Sequence, residues 1–412
     1  MRHSTYRQFV LLVVLLAVPA AAWCAEKPKV RAVTAFVHLD RGRTDEQLRD
    51  ALAMLRGAKA ALEKSGYEVQ TLRITTQPFP DYIRGLTREQ ALALFRDLDA
   101  RAQKEGFISA IGPAMLSDAD DPRNAELLVD ILAASSNLDS SLIVAGEDGV
   151  HWNGVRAAAS LVKSLAQRTA HSQGAFHFAA AAVVPPDTPF FPASYHLGAA
   201  RAFGIALQSA NLVAEAFASA GGKPAAGRAA LSRVLGEHAV AIEAMARKIE
   251  KQTGWNYMGI DLSPAPLKNV SIGAALEKLM GAKAGSSGTL TAAATVTAAL
   301  RDIPVKRAGY SGLMLPVLED SVLAERWSEG TLSLDALLAY SAVCGTGLDV
   351  VPLPGDVSVE QLARIIGDVA SLAVKWHKPL SARLLPVAGK KAGERTEFDD
   401  PFLVNATLRP LP

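Results

Sequence analysis

The sequence predicts a parallel α/β protein whose strands form a closed or nearly closed sheet surrounded by helices. Three observations favour this fold class. Short apolar segments alternate with longer segments of helical periodicity, nine of the short segments have the character of strands, and no low-complexity linker divides the chain. Strand–helix–strand units place their strands parallel through right-handed crossovers. We therefore expect residues 26–412 to form a single domain.

The first strand–helix–strand unit shows the pattern. Residues 30–38 are a strand candidate, and Thr44 with Gln47 three positions later forms the capping box that typically begins a helix. Apolar residues then recur every three or four positions on one helical face, at Leu48, Leu52, Leu55, Ala58 and Leu62. Gly66 ends this helix, and residues 67–74 are the second strand candidate.

The alternation continues to the end of the chain. A second capping box, Thr87 with Gln90, begins a helix that reaches about residue 104. The later strand candidates are residues 107–111, 141–145, 176–184, 257–262, 312–318, 348–353 and 380–386. The later helix candidates are residues 126–134, 155–170, 270–280, 290–300, 333–343 and 359–376, with a broken helical stretch from residue 197 to about 251.

Residues 1–25 have the layout of a secretory signal peptide. Arg2 and Arg7 precede an apolar run over residues 9–22, and small residues follow it. This run is shorter than the ~20 apolar residues that span a bilayer. We therefore expect a periplasmic or secreted protein that keeps no stable membrane anchor once the signal peptide is removed.

Charge and cysteine content narrow the function classes. Removing residues 1–25 takes away two of the 43 basic residues and none of the 41 acidic ones, so the rest of the chain is formally neutral. Because a nucleic-acid-binding surface needs a basic patch, we expect no nucleic-acid partner. Cys344 is the single cysteine after residue 25, which excludes an internal disulfide.

Carboxylates lie at or near the ends of several strand candidates. The carboxyl ends of parallel strands meet at one rim, where α/β proteins hold their ligands. We therefore expect a polar pocket at that rim, although turns and helix caps also explain each single carboxylate. The carboxylates concerned are Glu147, Asp148, Asp261, Glu319, Asp320 and Asp356, and Asp349 could lie at the turn that follows Cys344. The basic residues nearest strand ends, which could bind an anionic substrate, are Arg73, Lys378, Arg383 and Lys390.

Cys344 is the sharpest candidate for chemistry. It precedes the flexible turn 345–347, where a nearby base or helix terminus could make the thiol a nucleophile. A small buried hydrophobe at a helix end is the alternative. Tyr195 and His196, in the aromatic loop 189–196, could donate protons, although packing of that loop explains its aromatics equally well.

No motif in the sequence identifies a cofactor. The sequence has no His-x-x-x-His pair, cysteine cluster, EF-hand spacing, dinucleotide fingerprint or phosphate loop. An oxygen-rich rim can nevertheless hold magnesium or calcium without a sequence motif.

Four long segments carry a family resemblance: GYSGLMLPVLED at 309–320, YSAVCGTGLD at 340–349, PLPGD at 352–356, and KPLSARL at 378–384, which includes Ser381. With shorter segments at 69–73, 111–113, 189–196 and 259–263, they resemble the uncharacterised domain-of-unknown-function 711 (DUF711) family over nearly the whole chain after residue 25. The resemblance implies a fold similar to the pyruvate formate-lyase-like glycyl radical enzymes, a barrel of about ten mainly parallel strands with a loop entering it. It implies no particular activity.

Glycyl radical chemistry itself is not expected. Residues 307–310, Arg-Ala-Gly-Tyr, are one residue shorter than the Arg-x-x-Gly-Tyr surround of a radical glycine. They also precede Cys344, whereas those enzymes place their active cysteine before the glycine. Export would separate the protein from the activating enzyme that such a radical needs.

Two hypotheses follow for the function. The first is an enzyme acting on a small polar or anionic molecule at the barrel rim. Its catalytic candidates are Cys344, Glu319, Asp320, Asp349 and His196, and its substrate-binding candidates are Arg73, Tyr195, Asp261, Ser381 and Arg383. The second is a non-catalytic periplasmic protein that binds a small molecule or has a structural role. An enzyme of the first kind needs Cys344 within reach of Glu319, Asp349 or His196.

Overall fold

Ten strands form one mostly parallel sheet in the computed structural model, which describes residues 26–411. The predicted signal peptide, residues 1–25, lies outside the described residues. The strands are β1 (Lys29–Phe36), β2 (Val69–Thr75), β3 (Ile108–Pro113), β4 (Leu138–Gly146), β5 (Gly149–Val150), β6 (Phe178–Ala182), β7 (Ala202–Gln208), β8 (Asn256–Asp261), β9 (Gly347–Pro354) and β10 (Leu380–Val387).

Twelve α-helices and one 3₁₀ helix connect the strands within the described residues. The α-helices are α1 (Thr44–Lys64), α2 (Phe79–Tyr82), α3 (Arg88–Glu105), α4 (Arg123–Ala133), α5 (Trp152–Arg168), α6 (Ala210–Ala218), α7 (Pro224–Thr253), α8 (Ile272–Met280), α9 (Thr289–Arg301), α10 (Ser321–Glu329), α11 (Leu334–Tyr340) and α12 (Val359–Trp376), and the 3₁₀ helix is Ala170–His177. Between residues 26 and 411, none of these helices combines the length and the apolarity that crossing a bilayer requires.

The strands run in two directions. β1, β2, β3, β4 and β6 are parallel neighbours in that order. β7 pairs antiparallel with β1 and parallel with β8. At the other end of the sheet, β10 pairs antiparallel with β6 and parallel with β9. The carboxyl ends of the strands are therefore divided between two rims, and the expectation that they all meet at one rim is wrong.

The ends of the sheet, β8 and β9, are not hydrogen-bonded to each other, so hydrogen bonding between strands does not close the sheet. Residues 306–317 lie against both end strands. The amide of Ile260 donates to the carbonyl of Lys306 over 2.9 Å, and the amide of Val317 donates to the carbonyl of Asp349 over 3.0 Å. The strand predicted at residues 312–318 is not formed, because this segment makes only a single bridge, Pro316 to Asp349.

Two apolar layers explain why the strands are buried almost throughout. Successive side chains of β6 point to opposite faces of the sheet. Ala180 and Ala182 belong to the large core that contains the helices, whereas Ala179 and Ala181 pack in a smaller cluster with Phe190, Ala193 and Tyr195 of the loop after β6. The loop is held to β2 by a 2.7 Å hydrogen bond between the hydroxyls of Thr75 and Ser194.

Two predictions about local structure are wrong for identifiable reasons. The helical stretch after residue 196 contains β7, whose sequence AFGIALQ is buried and therefore lacks the alternation that marks a half-exposed strand. Thr44 does not cap α1: its hydroxyl donates to the carbonyl of Asp40 over 2.8 Å, and Gln47 accepts from the amide of Asp40.

The capping box predicted at α3 is confirmed and yields a stability prediction. The amide of Gln90 donates to the hydroxyl of Thr87, and the amide of Thr87 donates to the Gln90 side chain. We expect Thr87→Ala to lower the free energy of unfolding by about 1 kcal/mol, because α3 loses the acceptor for one of its first amides. Urea unfolding of this variant beside Thr291→Ala, an exposed threonine within α9, measures the effect. Equal stability of the two variants would contradict it.

Candidate functional site

A cavity of about 310 Å³ lies between the strands and the loops that cover them. Charged residues of the strands form one part of its wall and aromatic residues of the loops form another. The strand residues are Arg31 of β1, Arg73 of β2, Asp139 of β4, Asp261 of β8, Asp349 of β9 and Arg383 of β10. Other residues of the wall are Phe176, His177, Phe190, Phe191, Met314, Glu319, Asp400 and Phe402.

Arg383 joins several groups of the cavity wall. Its Nη1 donates to Asp349 Oδ1 over 2.9 Å and to Glu319 Oε1 over 3.4 Å. Its Nη2 donates to the carbonyl of Phe176 over 3.1 Å, and the guanidinium lies 4.7 Å from the centroid of that ring. Its Nε is buried without a hydrogen-bond partner among the described residues. Arg383 therefore fixes two carboxylates and keeps one donor unused.

Arg31 and Arg73 also present unused donors. Arg31 lies over the ring of Phe402 at 4.8 Å and reaches Glu319 at 3.8 Å, and its Nη1 has no hydrogen-bond partner within residues 26–411. Arg73 lies over the ring of Phe191 at 4.7 Å and is 8% exposed, and its buried Nε likewise has no partner in that part of the chain. Between residues 26 and 411, no carboxylate lies within 4.0 Å of its guanidinium. Burial, together with the charge of Arg31, lowers the pKa of Arg73 to about 9.

A β-bulge places Asp349 opposite Arg383. In the ladder between β9 and β10, Leu348 pairs with Ala382 and Val351 pairs with Leu384, so Asp349 and Val350 together oppose one residue. Val350 has a φ of 49°, a left-handed conformation that is costly for a β-branched residue. Bulges are frequent beside active sites because they redirect a side chain.

The two oxygens of Asp349 have different environments. Oδ1 accepts the hydrogen bond from Arg383, whereas Oδ2 is buried without a partner among the described residues. Burial raises the pKa of Asp349 to about 6; the charge of Arg383 opposes this and the charge of Glu319 adds to it. Asp349 is therefore a carboxyl group that can gain and lose a proton near neutral pH.

The remaining carboxylates of the wall are already engaged; Asp400, for example, accepts from the amide of Phe402 over 2.8 Å. Asp261 accepts hydrogen bonds of 3.0–3.1 Å from the amides of Ser263, Tyr310 and Ser311. Asp139 Oδ1 lies 2.8 Å from His177 Nδ1. Burial lowers the pKa of His177, but the hydrogen bond and charge of Asp139 outweigh it and raise the pKa overall.

The cavity brings together half of the ten site residues that the sequence proposes. Arg73, Asp261, Glu319, Asp349 and Arg383 all line it. Five do not line the cavity as far as the structure describes it: Asp320, Cys344, His196, Tyr195 and Ser381.

Asp320 is a structural cap. Its carboxylate is fully buried and accepts from the amides of Val322 and Leu323 at the start of α10. It also accepts from the amides of Ile272 and Gly273 at the start of α8, and from the Ser271 hydroxyl. All of its acceptor capacity is used in joining two helix ends.

Cys344 is 1% exposed and lies in the turn between α11 and β9. Lys378 Nζ donates to the carbonyls of Cys344 and Ser341. Glu319 and Asp349 line the cavity, whereas Cys344 is not among the described residues that line it. The nucleophile role therefore remains a prediction from the sequence alone.

Tyr195, His196 and Ser381 have partners elsewhere. The hydroxyl of Tyr195 donates to the carbonyl of Val184 over 2.9 Å. His196 Nδ1 lies 2.7 Å from Asp187 Oδ1, and the hydroxyls of Ser381 and Tyr310 are 2.9 Å apart. These contacts hold the loop after β6 and the segment before residue 317 in place.

Sequence reasoning missed Arg31, Asp139, His177 and the aromatic wall residues Phe176 and Phe402. A usable signal existed for Arg31, which stands inside an apolar strand as Arg73 and Arg383 do. Arg31 was missed because it lies near the start of its strand, whereas only residues near strand ends were taken as candidates. Within residues 26–411, no cluster of three or more His, Cys, Asp or Glu side chains is placed to hold a metal ion.

Comparison with known proteins tests the resemblance. Residues 24–399 match the family model described as uncharacterised ACR (DUF711). The chain belongs to the DUF711 family. It is 32% identical over 369 residues to a UPF0210 protein of Pyrobaculum aerophilum, covering 85% of this chain and 81% of that protein. A UPF0210 protein of Desulforudis audaxviator is 30% identical over 352 residues, 81% of this chain and 77% of that protein.

The DUF711 resemblance seen in the sequence is thus confirmed. A UPF0210 protein of Bifidobacterium longum subsp. infantis is also similar, at 29% identity over 338 residues. The names of the DUF711 family and of these relatives specify no reaction.

Proposed function

We propose that this DUF711 protein is an exported enzyme that binds a small organic anion in the cavity and exchanges a proton with it through Asp349. The observation that carries the proposal is Arg73, a buried guanidinium with no carboxylate within 4.0 Å among the described residues. We also propose that the sheet acts as a nearly closed barrel, with residues 306–317 between β8 and β9.

An anionic ligand would compensate the unpaired charge. A buried charge without a partner costs several kcal/mol, so a cavity that keeps one is suited to a ligand of opposite charge. Arg31 Nη1, Arg73 Nε and Arg383 Nε are unused donors on side chains of the same wall. Guanidinium groups bind carboxylates and phosphates through several hydrogen bonds at once. The phenylalanine rings beneath them limit their movement and exclude water.

Asp349 supports the enzymatic part of the proposal. A general base works best when its pKa is close to the working pH, and that of Asp349 is raised to about 6. In the proposed step, the carboxylate takes a proton from a C–H bond beside the ligand's anionic group. The electron pair of that bond moves onto the anionic group, where the guanidiniums stabilise the added charge. The reverse step returns the proton to carbon.

Arg73→Met tests ligand binding. We expect the affinity for 3-phenylpropionate, measured by isothermal titration calorimetry, to fall roughly 10- to 100-fold, because charge-assisted hydrogen bonds are lost. Arg84→Met is the matched control, since Arg84 has an 80% exposed side chain. Unchanged affinity in Arg73→Met, or no binding by the wild type, would overturn the proposal.

Proton exchange separates an enzyme from a binding protein. In D₂O, the wild type should replace a carbon-bound proton of a bound acid by deuterium, which ¹H NMR follows, and Asp349→Asn should not. Binding without exchange would favour the non-catalytic alternative. Export is tested separately by cell fractionation, where the protein should be found in the periplasm or the medium.

A further inference from the structure

The cavity offers an anion-binding side and, beside it, a hydrogen-bond acceptor without a donor. From this we infer that the ligand is a small monocarboxylic acid with a hydroxyl or ammonium group next to its carboxylate, and that this group donates a hydrogen bond to Asp349 Oδ2. The inference rests on the proposed function and adds the substrate class. It follows from the unused atoms of the wall, the bulge at Asp349, and the charge and size of the cavity.

The unused atoms have opposite characters. Arg31 Nη1 and Arg73 Nε can only donate, whereas an ionised Asp349 Oδ2 can only accept. Glu319 is shared by Arg31 and Arg383, and Asp261 is satisfied by three amides. A plain anion would satisfy the arginines and leave Asp349 Oδ2 unpaired. A ligand that carries a donor beside its carboxylate satisfies both.

The bulge fixes the acceptor in place. Because Asp349 and Val350 together oppose Arg383, the backbone of β10 determines where the carboxylate lies. The left-handed conformation of Val350 is strained for a β-branched residue, and such strain persists where the surroundings impose it, often at functional sites. Oδ1 is held by Arg383, which fixes the direction of Oδ2 on a side chain that lines the cavity.

Charge and size indicate one carboxylate and an apolar body. Arg31 and Arg383 already lie within 4.0 Å of Glu319 or Asp349, which leaves Arg73 as the guanidinium of this group that needs a negative charge. A single charge on the ligand matches it. The volume of about 310 Å³ is at the small end for ligand sites. Phe190, Phe191 and Met314 offer apolar surface to the remainder of the molecule.

A matched panel of ligands tests the inference on the unmodified protein. Two series are titrated by calorimetry: propionate, lactate and alanine, and their 3-phenyl derivatives 3-phenylpropionate, 3-phenyllactate and phenylalanine. In at least one series, we expect the hydroxy or amino acid to bind roughly tenfold or more tighter than the acid without the donor, because a buried acceptor left unpaired is penalised. If the hydroxy acid binds tighter than the amino acid, the donor is a hydroxyl group; if the amino acid binds tighter, the donor is an ammonium group.

Asp349→Asn connects this preference to the proposed acceptor. The variant should bind the plain acid within about twofold of the wild type, whereas the preference for the donor-bearing acid should fall roughly tenfold. Asp368→Asn, at an exposed position of α12, should keep the full preference. The wild-type panel decides the question even if Asp349→Asn does not fold.

The outcomes distinguish this inference from the function on which it rests. If plain and donor-bearing acids bind equally and Arg73→Met abolishes both, the substrate class is wrong while anion binding remains. If phenyl phosphate binds tighter than every monocarboxylate, the inference that the ligand carries a single negative charge is wrong. If no acid of either series binds, the inference is overturned, and the proposed function is overturned with it.

Discussion

Replacing Asp320 by alanine is expected to lower the free energy of unfolding by about 4 kcal/mol. The variant removes the N-cap of α10 and leaves the amides of Ile272 and Gly273, at the start of α8, without their acceptor. A lost cap costs about 1–2 kcal/mol, and each buried group left unpaired costs about 1–3 kcal/mol. Urea unfolding followed by circular dichroism measures the difference.

Asp368→Ala provides the control for this experiment. Asp368 is exposed on α12, so its replacement should change stability by no more than about 0.5 kcal/mol. A loss below about 1 kcal/mol in Asp320→Ala would contradict the structural role given to Asp320. It would favour the acid–base role that the sequence suggested for this residue.

A pH dependence of stability is the second large effect expected. Burial raises the pKa of Asp349 to about 6 in the folded protein, against about 3.9 in an unfolded chain. A raised pKa means that the protonated carboxyl is favoured by folding. Its stabilising contribution is therefore complete below about pH 3.9 and is lost as the pH rises through about 6. Two pKa units correspond to about 3 kcal/mol.

Asp349→Asn isolates this effect because an amide does not ionise. The free energy of unfolding of the wild type minus that of the variant should fall by about 2 kcal/mol between pH 4 and pH 7, because an unfolded carboxyl is already half ionised at pH 4. Chemical unfolding of both proteins at pH 4, 5, 6 and 7 measures it. A difference that stays constant over this range would show that Asp349 titrates at its ordinary pKa.

Periodicity and turn chemistry were sufficient to predict most of the helices and strands. Helix α12 begins and ends where its apolar repeat does, and the Thr87 capping box marks the start of α3. β7 was missed because Ala202–Gln208 is buried on both faces and rich in small residues. The direction of β7 and β10 could not be predicted, because antiparallel pairing with β1 and β6 depends on contacts between distant parts of the chain.

The site shows the same division between local and distant information. Glu319 and Asp320 are adjacent and both are carboxylates, yet one lines the cavity and the other caps two helices. Their separation depends on where the start of α8 lies, which is 47 or more residues away in sequence. The bulge at Asp349 is likewise set by β10. Residue type alone could therefore nominate such groups but could not assign their roles.

The arrangement of the strands also imposes an order of assembly. β1, β2, β3, β4 and β6 come from the first 182 residues and can pair before the rest of the chain is available. Until β7 covers β1 and β10 covers β6, both edges of this half-sheet are open strands of the kind that pair with other chains. A fragment ending at residue 182 should therefore aggregate. A cell producing this protein must protect those edges until the last strand, residues 380–387, has been synthesised and has paired.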